Sequence, residues 1–390
     1  MSEQKIPITR PFFDDAEQIA VSGPLSRGWV AQGPEVQRFE AAVAQYTGAA
    51  FAVACTSATT GLHMALAALD IGPGDEIIVP AFTWVSTANA VRFCGATPVF
   101  CDIDLDTFNL DLDTLPRHLG PKTRGIIPVH LFGNPLDVEQ LASIAGDVAI
   151  VEDAACALGT TLRGRHVGLT GDLGVFSFHP RKIITTGEGG MVFGSDEAWR
   201  PRLKSLRDHG ASLGTEIRQR QAGAPPPIDF DTLGYNYRMT DLQGAIGVTQ
   251  MEKLPGIIEA RTTQAQRYHA GLADLPWLQR PTTPPGGVHS WQAYVCLYQP
   301  EAPSLERVDA MYQGRNQLMH RLHEAGIATR PGTHAVHTLG LYRRLYDLTP
   351  ASAPRAWMAD RLSLALPLYP GLTKAQQDYV IDTLRALGPQ

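Results

Sequence analysis

FSFHPRKIITTGEGG, residues 176–190, sets a single lysine, Lys182, between an apolar run and a string of threonines and glycines. With Gly174 and Val175 the lead is a strand of the β-branched and aromatic kind. The tail is too polar to pack a core, and its glycines permit close backbone approach or positive φ. MVFG, residues 191–194, is strand again. The unit is therefore strand, lysine-bearing loop, strand. By itself it leaves Lys182 open between a solvated surface charge and a functional amine.

Working upstream, EIIVPAF (76–82), TPVFCDI (97–103), GIIPVHL (125–131) and VAIVED (148–153) are short apolar runs of the same kind. Helical patterns such as TTGLHMALAALDI (59–71) and DVEQLASIAG (137–146) alternate with them. That alternation predicts an α/β architecture with a mostly parallel sheet flanked by helices. Ligands of such sheets bind in loops at the carboxyl ends of the strands. Downstream, DLQGAIGVTQMEKL (241–254) and IIEARTTQAQRYHAGLADL (257–275) read as helix, SWQAYVCLY (290–298) as strand and NQLMHRLHEAGI (316–327) as helix. This predicts a large domain over 1–250 and a smaller C-terminal α+β domain over 251–390. AGAPPPI (222–228) and RPTTPPGG (280–287) read as loops.

Composition bounds the function. A chain of 390 residues with 44% hydrophobic and 18% charged residues can bury a sizeable core. Its net charge of -6 with no basic run argues against nucleic acid or anionic membranes as partners. No segment approaches a membrane span and the N-terminus lacks a signal core, so a cytoplasmic location is expected. Five cysteines without CxxC spacing fit a reducing compartment rather than a disulfide framework or a zinc site.

Three further stretches carry chemistry. VEDAA (151–155) ends a strand in Glu152 and Asp153, two acids that burial would strand without a cation. CTSATTGLHMALAAL (55–69) opens an apolar helix with small hydroxyl residues, which suits either N-capping by Ser57 or Thr59 or a phosphate held by free N–H groups. PAFTWVSTANAV (80–91) places Trp84 just past a strand, as core or as a plate for a planar ring. A lysine can form a Schiff base with pyridoxal 5'-phosphate (PLP), and that cofactor's pyridinium needs an acid, for which Asp153 is the candidate.

Phosphate site, plate, acid and lysine in this order resemble the DegT/DnrJ/EryC1/StrS family of PLP-dependent sugar aminotransferases, on the aspartate aminotransferase (fold type I) fold with its seven-stranded sheet. The similarity runs through GPEVQRFE (33–40), GPGDEIIVPAFTWVSTANAV (72–91), VEDAACALG (151–159), GDLGVFSFHPRKIITTGEGGM (171–191), LGYNYRMTDLQGAIG (233–247) and ALPLYPGLT (365–373). It implies Lys182 as the Schiff-base lysine, Asp153 as partner of the pyridine nitrogen and Trp84 stacked on the ring. Ala58, Thr59 and Ser177 would hold the phosphate, with Asn236 reaching it from the neighbouring subunit of a homodimer. Cys156 stands where many relatives have glutamine or histidine, at the cofactor's 3-oxygen, and reads either as a weak donor there or as a small buried hydrophobe.

The resemblance further implies glutamate as amino donor, pyridoxamine 5'-phosphate (PMP) as the intermediate cofactor form, and a nucleotide-linked 4-keto-6-deoxyhexose as acceptor. Trp29 and the segment GIATRPGTHAVH (326–337) fall in regions that reach the sugar, so Trp29, His179, His334 and His337 are candidate substrate contacts. The two histidines of that segment lack an accompanying carboxylate or cysteine cluster, and no metal is expected. A C-3 dehydratase would carry histidine in place of Lys182. Amination of a cyclitol ketone and a non-catalytic scaffold on the same fold stay open as alternatives.

Overall fold

A computed structural model describes residues 5–212 and 227–389. The proline-rich stretch from Ala222 lies, up to Pro226, outside the described residues. Seven strands build the main sheet: β1 (Phe51–Cys55), β2 (Glu76–Pro80), β3 (Thr97–Cys101), β4 (Thr123–Ile126), β5 (Ala149–Asp153), β6 (Leu173–Ser177) and β7 (Gly190–Gly194). Their spatial order is β1-β7-β6-β5-β4-β2-β3. The pairs from β6 across to β3 are parallel, and β7 alone runs against its two neighbours.

Side chains alternate between two cores, as the period of two along a strand requires. Val175 and Val192 face the helix Ala58–Ala68 through Leu62 and Ala65. Phe176, Met191 and Phe193 face Val36, Phe39 and Val43 of the helix Pro34–Thr47 on the other side. The rings of Phe176 and Phe193 stack at 4.1 Å. Burying each ring contributes roughly 1.5–3 kcal/mol, which is why the strand flanking Lys182 is so apolar. The GIIPVHL strand stops at Ile126, two residues before Pro128, which has no N–H to give a ladder. Its carbonyl still accepts from Asp153 N at 2.8 Å, so β5 keeps its direction as far as the acid.

The two helical stretches after residue 240 form one helix, Asp241–Gly271, continuous through Pro255. Thr240 and Gln243 close a capping box at its start. Gly244 and Gly247 let it lie directly on the helix Pro34–Thr47: an added Cβ would sit 2.6 Å from Val36 N or 2.7 Å from the Phe39 ring. Residue 250 thus lies inside a continuous helix. Beyond it, Leu278–Gln279, Tyr294–Tyr298 and Ser363–Leu366 form a three-stranded antiparallel sheet with the helices Val308–Glu324 and Lys374–Leu387. Ile6 bridges Ile327, which ties the first described residues to this C-terminal layer.

Candidate active site

Asp153 ends β5 and is buried. Among the described residues its two oxygens accept from neutral donors only, the Thr87 hydroxyl at 2.9 Å and Ala155 N at 3.1 Å. Burial pushes its pKa up from the ordinary carboxylate value, and the Thr87 and Ala155 hydrogen bonds and the Lys182 charge offset this only in part. Glu152, its neighbour, faces the other way and is fully satisfied. It binds His130 Nε2 at 2.8 Å and the backbone N–H groups of Gly168, Thr170 and Gly171 at 2.6, 2.8 and 2.6 Å. Burial alone would raise its pKa, but His130 and these N–H groups hold it below the usual range. The pair of acids therefore splits: four hydrogen bonds satisfy Glu152, whereas Asp153 accepts two.

Lys182 follows β6 in a short loop, with its N–H on His179 O at 2.8 Å. Its Nζ lies 3.0 Å from Cys156 Sγ. The thiol at the position read as either donor or hydrophobe thus touches the lysine. Arg181 N donates to His179 Nδ1 at 3.2 Å, and burial lowers that imidazole's pKa.

Past β1, Ser57 caps the helix Ala58–Ala68 and shares a capping box with Thr60. The box occupies the N–H groups of Ser57 and Thr60, at 3.1 and 3.2 Å. The N–H groups of Ala58 and Thr59, in the same first turn, have no intrahelical acceptor, so this end suits an anion. Gly190 joins the elements: in register it faces Cys55 on one side and Ser177 on the other. Its Cα comes so near the helix start that a Cβ would lie 2.4 Å from Ser57 C and O and 2.7 Å from Ala58 N. Ser177 and the start of this helix thereby share Gly190 as a neighbour.

Trp84 follows the short strand Phe82–Thr83 and is 57% exposed, an indole without a buried partner on its open side. Its ring lies 5.7 Å from that of His334, tilted by 41°. The Asp360 carboxylate beside His334 raises that imidazole's pKa. His337, by contrast, is wholly buried, 6.5 Å from the Phe100 ring, and burial lowers its pKa. Trp29 is half-buried and donates from Nε1 to Gln32 O at 3.2 Å. Asn236 is exposed and bridges Asp208 through its backbone. Among the described residues, Trp29, Asn236 and His337 make no hydrogen bond or ring contact with Lys182, Asp153 or Trp84. Sequence reading missed Thr87 and His130 and did not single out Thr60 within the hydroxyl-rich helix start; a threonine in the helix after Trp84 and a histidine two residues past a proline carry no pattern that marks them.

A buried carboxylate that, among the described residues, accepts only from neutral donors makes a demand for a cationic group bound beside it. On a mainly parallel seven-stranded α/β sheet, with an open helix end for a phosphate, that demand defines the PLP-dependent enzymes of fold type I. Residues 12–385 match the DegT/DnrJ/EryC1/StrS aminotransferase family, and the chain belongs to it.

Similar solved structures include a putative sugar aminotransferase from Streptococcus pneumoniae in its PMP form, 30% identical over 98% of both chains with a TM-score of 0.89. DesV of S. venezuelae is 31% identical over 99% of both chains, with a TM-score of 0.86. The GDP-4-keto-6-deoxymannose-3-dehydratase ColD, 27% identical over 97% of this chain and 100% of its own, has a TM-score of 0.87. Amination and dehydration thus share this fold, and the site must choose between them. Among the described residues no helix is long and apolar enough to cross a membrane.

Proposed function

We propose that this chain is a PLP-dependent aminotransferase that moves the amino group of glutamate to a nucleotide-linked 4-keto-6-deoxyhexose, working as a cytoplasmic homodimer. The observation that carries the reading is Lys182 itself, its Nζ 3.0 Å from Cys156 Sγ in the loop after β6, with the buried Asp153 ending the neighbouring parallel strand β5. A dehydratase of this family would place histidine there.

Bound in this site, PLP supplies a carbonyl that takes up amines and a ring that withdraws electrons from the carbon next to them. Asp153 holds a proton on the ring nitrogen, and its burial makes that charge pair strong. Trp84 orients the ring by stacking on it. The N–H groups of Ala58 and Thr59, the Ser177 hydroxyl and Asn236 from the other subunit hold the phosphate. Cys156, 3.0 Å from Lys182 Nζ, would stand near the 3-oxygen of the bound cofactor. With the cofactor bound, Lys182 Nζ would carry a proton from the donor's α-carbon to the cofactor's carbonyl carbon in one half-reaction, and from that carbon to the sugar carbon in the other. We assign His179, Trp29 and His334 to the sugar and its diphosphate; Asp360 beside His334 favours the protonated imidazole, which suits an anionic group there. His337 backs this wall from the core.

The test is the visible absorbance of purified protein with added PLP, before and after glutamate, followed by mass analysis of nucleotide-linked ketosugars incubated with glutamate. A visible band that bleaches with glutamate, and an aminated 4-ketosugar, are the expected results. A band that glutamate leaves unchanged, or amination of a cyclitol ketone with none of a nucleotide sugar, would reject the reading.

A further inference from the structure

The C-terminal segment His289–Gln292 reaches the backbone on both sides of the Lys182–Cys156 contact. Gln292 Nε2 donates to Arg181 O at 2.6 Å, one residue before the lysine. Ser290 Oγ lies 2.9 Å from Thr160 Oγ1 and 3.5 Å from Cys156 O. The segment is itself held by a turn, a ring stack and a buried guanidinium. Trp291 adopts φ +55°, a left-handed conformation that disfavours a bulky side chain. Its ring lies flat on His289 at 3.9 Å. Arg261, buried in the long helix, donates to Trp291 O at 3.0 Å, Gln292 O at 3.2 Å and Leu368 O at 3.2 Å. A buried guanidinium whose partners are carbonyls is costly, and it fixes two consecutive peptide groups of this segment. Gly133 leaves room for the segment: a Cβ there would lie 2.5 Å from Ser290 Oγ and 3.2 Å from Cys156 O and Gln292 N.

We propose that Gln292 is a positioning residue for Lys182, and that Arg261 and the Trp291 turn fix its amide so that the C-terminal layer sets where the lysine amine stands relative to Cys156. The inference rests on Lys182 being the cofactor lysine. Among the described residues, the other hydrogen bonds of residues 179–187 stay within the loop, return to its flanking residues, or go to Cys156 and to Gln250 of the long helix. Among the described residues, the Gln292 bond is the direct hydrogen bond from this segment to the lysine loop, beside the indirect route through Ser290 and Cys156.

The experiment compares wild type with Gln292→Met, which keeps the volume and removes the donor, and Gln292→His, which restores an N–H. Each full-length protein is reconstituted with PLP. The readouts are the pH midpoint of the visible band, the thermal midpoint, and kcat and KM with glutamate and ketosugar. For Gln292→Met the band midpoint shifts by at least about half a pH unit. Its kcat falls about tenfold while both KM values stay within about twofold, and its thermal midpoint stays near that of wild type. Gln292→His recovers most of both. A Gln292→Met protein with the wild-type band midpoint overturns the positioning role, whether or not its thermal midpoint drops. A wild-type protein that forms no band overturns the functional reading and this inference with it.

Discussion

Lys182 Nζ rests 3.0 Å from the Sγ of Cys156, so the amine that does the chemistry shares its immediate surroundings with a thiol. A thiol is a weak donor and a soft acceptor, and it leaves the amine less firmly held than an amide or imidazole would. Little else anchors this side chain, which has consequences for its removal.

Lys182→Ala is expected to fold as wild type does, because the half-buried side chain gives up one weak contact. Turnover should fall at least about 10²-fold with loss of the acid–base group, and the visible band with PLP should not form. Far-ultraviolet circular dichroism and absorbance spectroscopy check the two halves. Retained turnover would remove Lys182 from the mechanism.

Asp153→Asn should lower activity about 10²–10³-fold, the usual loss when a preorganised charge is removed. Its effect on the cofactor-free protein has the opposite sign. Burial raises the Asp153 pKa in the folded state, so between the unfolded and folded values the native protein binds the extra proton. The stability of the cofactor-free protein therefore declines as pH rises through that window. Asp153→Asn should flatten that decline. Urea titrations across the acid range would show it, and a variant as pH-sensitive as wild type would refute the assignment.

Glu152→Gln tests the other acid of the pair. Four hydrogen bonds converge on its carboxylate, one from His130 and three from backbone N–H groups. Replacing it should cost about 1–3 kcal/mol of stability, because the new amide NH2 faces donors and leaves buried N–H groups unpaired. Because its folded pKa is depressed, that stability is present above the unfolded value and is lost as pH falls through the folded one. The variant should lose this acid-side dependence. Chemical denaturation at neutral and acid pH measures both. A fully stable variant with damaged catalysis would mean that Glu152 serves the cofactor and Asp153 the fold.

Gly190→Ala should push the start of the helix Ala58–Ala68 away from the sheet, since the new methyl would fall 2.4 Å from Ser57 C and O. Overpacking of this kind costs about 1–3 kcal/mol, and at this position it moves the N–H groups of Ala58 and Thr59. Affinity for PLP should fall further than stability alone explains. Fluorescence titration with PLP alongside thermal melting separates the two, and unchanged affinity would place the phosphate elsewhere.

The strand and helix alternation, the acid at the end of β5, the indole after β2 and the lysine after β6 were all legible in the sequence. Each lies next to an apolar run whose period fixes where a strand ends, and strand ends of a parallel sheet share one edge. Local pattern did not show that the helix at Asp241 continues through Pro255. Packing of Gly244 and Gly247 against Val36 and Phe39 supports the whole helix, which outweighs one missing N–H.

What the sequence determined by itself is the set of chemical groups and the edge of the sheet to which they belong, because periodicity and punctuation are local properties of the chain. Which groups meet was decided only by tertiary structure. Glu152 and Asp153 are adjacent in the chain yet go to opposite faces of β5, one to His130 and the other to Thr87. His334 comes to Trp84 while His337, three residues on, goes into the core. Gln292, 110 positions from Lys182, reaches the carbonyl beside it. Such contacts depend on burial and on three-dimensional direction, which the linear order of residues does not carry.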